Sequence, residues 1–189
     1  MGYYYLGAQL PYLVYGQKPP MSSASFKAMA VEQMGADGRL MDFCTLDPDP
    51  AGDPRKATYY EPALPTPSVF INNWKEWERA LRLNLAKNRA QKLERSGGSL
   101  VDAPAYPPGA ALAAKTAMTM ESPLEAEIFL DKARWEAIDS FQGLDVFCDD
   151  AMYAYLLKLL LMERRAAFID EDGVNEYKGL YAAILGEVK

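Results

Sequence analysis

Apolar side chains recur every three to four residues along most of this chain. That rhythm restricts it to helices that bury one face. Phe70, Trp74, Trp77, Leu81 and Leu85 form one continuous stripe behind a capping Ser68. A helix is predicted from there to about Glu94, with a stop at Gly97-Gly98. Its first half has the strong apolar face; its second half is mostly charged. Ser122-Pro123 is a second start, a capping hydroxyl followed by proline at the first helical position, and Gly143 closes that helix. Leu124, Ile128, Trp135 and Ile138 are expected on one side of it, with Leu130, Ala133, Ala137 and Phe141 on the adjacent side. Asp149 or Asp150 opens the next helix. Its broad stripe of Met152, Tyr155, Leu156, Leu159, Leu160 and Phe168 fits a central, mostly buried position. A last amphipathic helix carries Tyr177, Leu180, Tyr181, Ile184 and Leu185.

The N-terminal part is more broken. A short helix is expected before Pro11, and Pro19-Pro20 imposes extended backbone. Ser22 or Ser23 caps a helix with Phe26, Met29, Ala30 and Met34 at helical spacing, ended by Gly35. Arg39 to Thr45 reads as a further short helix with Leu40, Phe43 and Cys44 inward. From Leu46 to Pro67 prolines recur, and an irregular connection carrying Tyr59, Tyr60 and Leu64 over the core is expected. Ser99 to Gly109 is a Pro-rich linker, and Ala110 to Met118 a turn or two of helix. The expected fold is all-α: a helical bundle with a long Pro-rich irregular middle segment. The expected domain is 1–189, with lobes 1–96 and 110–189 as its natural subdivision. No fixed-period repeat is present.

Chemistry is constrained by what is missing. The 189 residues include no histidine, so Ser-His and Cys-His nucleophile pairs are excluded. No GxxxxGK[ST] phosphate loop occurs. No cofactor is expected. Half the residues are hydrophobic, enough for a core, and the net charge of -6 disfavours nucleic acid as a partner. Lys87, Arg89, Lys92 and Arg95 form a local basic run that reads as a solvated helix face. Cys44 and Cys148 fit neither a zinc knuckle nor a redox pair. The opening MGYYYLGAQL does not resemble a signal peptide, and Ala151 to Met162 is too short to cross a bilayer. A cytoplasmic location without membrane insertion is expected.

Two groups of residues are candidate sites. Glu121, Glu125, Glu127, Asp131, Glu136 and Asp139 crowd one helix, and Glu127 and Asp131 share a face. Such a pair can hold a divalent cation or act as acid and base, which makes a carboxylate-dependent metal enzyme one alternative. Lys132 and Arg134 stand ready to pair with these carboxylates, so solvated salt bridges are the simpler account. Asp170 to Gly173 resembles only a fragment of a calcium loop. Tyr3, Tyr4, Tyr5, Tyr12 and Tyr15 form an aromatic edge suited to a partner or to packing the terminus down. Trp74 and Trp77 belong to the core stripe. A generic helical adaptor, self-associating through the aromatic edge, is a third reading.

Three segments, YYYLGAQLPYLVYGQKPPMSS, PLEAEIFLDKARWEAID and YLLKLLLMERRAAFIDEDGVNEYKGLY, carry a resemblance. Together they resemble an uncharacterised bacterial family encoded among the subunits of V-type (A/V-type) ATPases, across roughly the whole chain. In those ATPases a funnel-shaped, wholly helical socket joins the central shaft to the membrane rotor ring. The likeness to that socket subunit is remote and confined to helical pattern. The resemblance implies a non-catalytic accessory or rotor-coupling subunit, with the central shaft and membrane rotor ring as partners. It also implies a place peripheral to the inner membrane. Tyr3, Tyr4, Tyr5, Tyr12, Glu125, Glu127, Asp131 and Arg134 are then the expected contact residues. The chain is much shorter than the socket subunit and lacks its threefold helical duplication.

Overall fold

Three serines start three helices in the same way. In the computed structural model, which describes residues 2–46, 65–93, 103–107 and 109–168, the hydroxyl oxygens of Ser22, Ser68 and Ser122 accept the backbone N–H of Ser25, Ile71 and Glu125. Each satisfies one of the amides a helix start leaves unpaired. The elements are α1 (Tyr4–Gln9), α2 (Ser23–Met34), α3 (Ala36–Arg39), a 3-10 turn (Leu40–Phe43), α4 (Val69–Lys92), α5 (Ala110–Ala117), α6 (Pro123–Gln142) and α7 (Asp149–Phe168). No strand occurs among the described residues. The fold is all-α.

Ser68 does more than the other two caps. It is buried, and its hydroxyl also donates to Asp150 Oδ1 at 3.3 Å, joining the start of α4 to the start of α7. Ser68→Ala is therefore expected to cost about 1–2 kcal/mol, and Ser22→Ala, at an exposed cap, about 0.5–1 kcal/mol. Urea unfolding of the two variants checks the order.

The core forms around α7, which packs against α2, α4 and α6. Its Met152, Tyr153, Ala154, Leu156, Leu157, Leu159, Leu161 and Met162 are all buried, a wider arc than one amphipathic face. Phe70, Trp74, Trp77, Leu81 and Leu85 of α4 are buried as their spacing requires, and Trp74 and Trp77 stack at 6.1 Å between ring centroids. The buried Ala110, Ala113, Ala114 and Ala117 let α5 lie close on α4. At the end of α2, Gly35 takes a φ of 60°, and Gly38 touches the α2 backbone so closely that a Cβ would sit 2.8 Å from Val31 Cα. The core cluster draws residues from both the 1–96 and the 110–189 portions.

Two faces differ from the sequence reading. Phe43, expected inward, is 45% exposed and lies under the Lys75 ammonium, while Met41 is buried in its place. The cause is the 3-10 turn, whose period of three puts Met41 and Cys44 on one side and turns Phe43 out. On α6, Leu124 and Ile128 are exposed, and the buried face is Leu130, Asp131, Arg134, Ala137 and Ile138. The helix is rotated so that a charged pair, not an aliphatic pair, enters the interior. Several expectations fall outside the described residues. They are the course over Tyr59, Tyr60 and Leu64, the stop at Gly97-Gly98, residues 99–102 and 108 of the linker, the Asp170–Gly173 segment and the helix of Tyr177 to Leu185.

Candidate functional site

The buried charges are the first site, and they begin on α4. Glu78 is 2% exposed, and Arg134 of α6 grips it with two bonds, Nε to Oε2 at 3.0 Å and Nη2 to Oε1 at 3.1 Å. Arg82, one turn along α4, donates to the same Oε1 at 2.7 Å, and its Nη2 reaches the carbonyl of Leu46. Arg134 also donates through Nη1 to Asp131 Oδ1 at 3.0 Å. Arg164 of α7 donates to Glu127 Oε2 at 2.9 Å and lies 3.8 Å from Asp131 Oδ1. Three helices are thus pinned by one chain of alternating charges.

This corrects two expectations. Asp131 and Arg134 are 3% and 4% exposed, so they are not solvated salt bridges and cannot form part of an outer contact face. The reason is geometric: α6 lies against α4, and the fork of Arg134 closes on Glu78 only from inside. Glu127 is half-buried against Arg164, and of the four contact residues expected on α6 only Glu125 is exposed. Each carboxylate of the Glu127–Asp131 pair faces a guanidinium. Among the described residues, no group of three His, Cys, Asp or Glu is placed to hold a metal ion.

The two innermost carboxylates respond differently to their surroundings. Burial pushes the Glu78 carboxyl up, but Arg134 and Arg82 together outweigh it and hold its pKa below the ordinary 4.5. Burial pushes Asp131 up, and Arg164 and Arg134 do not fully compensate, so its pKa stays above the ordinary 3.8. Ionised Glu78 therefore favours the fold, whereas ionised Asp131 counts against it. Near neutral pH, Glu78→Gln is expected to cost about 2 kcal/mol or more and Asp131→Asn about 1 kcal/mol or less. The stabilisation from Glu78 is complete above 4.5 and is lost as pH falls through its lowered value. Between Asp131's raised value and 3.8, acid instead favours the folded chain. In Asp131→Asn that offset is gone, so urea midpoints should fall more steeply with acid than in the parent protein.

The second site is the N-terminal strap, residues 3–15. Tyr3 N–H donates to the Phe147 carbonyl at 2.6 Å, and its hydroxyl to Asp37 Oδ2 at 2.6 Å. Leu6 and Leu13 are buried anchors. Tyr155 of α7 donates to the Pro11 carbonyl at 2.9 Å, and Tyr15 to the Ile128 carbonyl at 2.9 Å. Burial, with Asp37 beside it, pushes the Tyr3 phenol up to about 12, and burial does the same to Tyr155. Both therefore remain protonated donors. The strap bridges a cavity of about 400 Å³ over α6 and α7. Leu10, Val14, Trp135 and Met152 give it apolar walls; at its polar end Lys158 Nζ lies 2.5 Å from Asp139 Oδ1, 3.3 Å from Gln142 Oε1 and over the Trp135 ring. Tyr4, Tyr5 and Tyr12 stay exposed, so of these and Tyr3, only Tyr3 is substantially used by the fold.

Sequence reasoning missed Glu78. Its signal was present: it follows Trp77 on the stripe of Trp74, Trp77 and Leu81, a position that otherwise takes an apolar residue. Arg134 occupies the matching position on α6, between Leu130 and Ala137. Comparison with protein-family models, curated proteins and solved structures gives no match to this chain. Among the described residues, no helix is long and apolar enough to cross a membrane.

Proposed function

We propose that this chain is a non-catalytic accessory or rotor-coupling subunit of a V-type ATPase, similar in role to the socket between shaft and ring. It works through helix-mediated contacts with the central shaft and membrane rotor ring, at the cytoplasmic side of the inner membrane. One observation supports this reading above the others: the described parts of the three segments that carry the resemblance pack on one another. The first meets the second where Tyr15 donates to Ile128 and its ring meets Trp135 edge-on at 5.5 Å. The first meets the third where Tyr155 bonds Pro11, and where Ser23 N–H and Oγ donate to Glu163 at 2.7 and 2.6 Å. A likeness scattered over three stretches of sequence thus falls on a single packed unit. The charges inside that unit are spent on holding helices together, which suits a coupling piece better than a catalyst. Its outward face comprises Tyr4, Tyr5, Tyr12 and Glu125.

Mild extraction and gel filtration of the ATPase from native membranes tests the assignment. The chain is expected to co-elute with the shaft and ring subunits. An enzyme purified from cells lacking the chain that is intact and fully coupled would overturn it.

A further inference from the structure

We infer that the strapped cavity and its aromatic rim dock one basic amphipathic helix of a partner protein. From the proposed function this takes only that the tyrosine-bearing end is a contact face. Shape, apolar surface and charge carry the rest.

Large apolar side chains crowd the mouth of this cavity. Tyr12 is 89% exposed, and Val146, also exposed, lines the same cavity. Fully exposed Leu144 precedes Val146 by two residues, and the exposed Tyr4 packs its ring on Phe147 at 4.9 Å. The folded chain gains nothing by presenting these groups to water together; a partner that covers them does. A volume of about 400 Å³ admits two large side chains, which suits residues one turn apart on a helix.

The charges around the mouth select the partner. Asp37 and Asp145 are exposed on this face, tied to it through Tyr3 and Phe147. Asp149 is close enough to act on the Tyr3 phenol. Of the cations nearby, Lys158 is paired with Asp139, and Arg165 lies against the Tyr15 ring at 4.9 Å with its Nε and Nη1 buried and withdrawn from the surface. The rim is therefore negative around an apolar centre, and its complement is an apolar stripe flanked by Lys or Arg. An anionic lipid surface would be repelled. The described residues offer no strand edge for an extended peptide to join. A second copy is the competing occupant, and the test separates that case.

The probe is a fluorescein-labelled helical peptide of about 18 residues with a Leu/Trp stripe and lysines on its other faces. Its control carries glutamate in place of lysine. Binding to the full chain is read by fluorescence anisotropy. The Lys peptide is expected to bind about tenfold or more tighter than the Glu peptide, with the gap closing between about 50 and about 500 mM salt. Tyr12→Ser and Val146→Ser should each weaken it about tenfold. Both residues are exposed, so the variants are expected to keep the parent helical circular dichroism. Equal binding of the two peptides, or indifference to both substitutions in the folded chain, overturns the inference. So does a concentration-dependent dimer in sedimentation that the Lys peptide fails to dissociate. If the peptide results fail while the chain still co-elutes with shaft and ring subunits, the docking mode is wrong and the subunit assignment stands. If the peptide binds as expected and co-elution fails, the assignment is wrong and the docking mode stands.

Discussion

Arg134→Met is expected to lower the stability of the fold by about 3–5 kcal/mol, the loss that follows when one member of a buried charge cluster is removed. The substitution keeps an unbranched apolar stem out to about the position of Nε and removes the fork. Glu78 then keeps only Arg82, and Asp131 keeps only Arg164 at 3.8 Å. Both carboxylates stay inside, and neither can reach water without opening the seam between α4 and α6. The companion variant separates charge burial from packing. Glu78→Met, Asp131→Leu and Arg134→Met together leave no stranded charge at the centre, since Arg82 retains the Leu46 carbonyl and Arg164 retains Glu127. That triple variant should come within about 2 kcal/mol of the parent protein or exceed it. Urea denaturation at neutral pH reads both. A single variant no worse than the triple would mean that the ion pairs do not hold the helices.

Trp74→Ala is the other large effect, about 3–5 kcal/mol, because it empties a fully buried indole site. Two further losses accompany the cavity: the stack on Trp77, and the bond from Nε1 to the Thr45 carbonyl at 3.0 Å. That bond ties the segment after the 3-10 turn to α4. Trp74→Phe retains most of the apolar volume and loses the donor, so it should cost about half as much. Hydrogen exchange adds a local signature: amides of residues 40–46 should exchange faster in both variants, while those of α7 should follow global stability.

How far the fold could be read in advance is clearest on α4 and α6. On α4 the stripe from Phe70 to Leu85 was sufficient, because every position in phase with the core is apolar except Glu78. On α6 the same logic favoured Leu124 and Ile128, which lie outside. Apolar periodicity counts hydrophobic side chains and has no means of valuing an arginine whose partner is 56 residues away. One long-range pair therefore set the rotation of a helix that local pattern assigned differently. The short 3-10 turn misled for a related reason, since a helical period of 3.6 was applied where the backbone turns every three residues. Serine caps and glycine stops were legible because their chemistry is local: Ser22, Ser68, Ser122, Gly35 and Gly143 all sit at helix ends. The aromatic edge was visible as composition. Its division into an anchor, Tyr3, and the exposed Tyr4, Tyr5 and Tyr12 needed Asp37 and Phe147, which arrive from elsewhere in the chain.

The most direct test of a coupling role is affinity purification of the tagged chain from native lysate, with mass identification of what accompanies it. Shaft and rotor-ring subunits of a V-type ATPase are expected with the parent protein, and strongly reduced with the Tyr12→Ser, Val146→Ser double variant. A folded parent chain that brings down neither set of subunits would contradict the account.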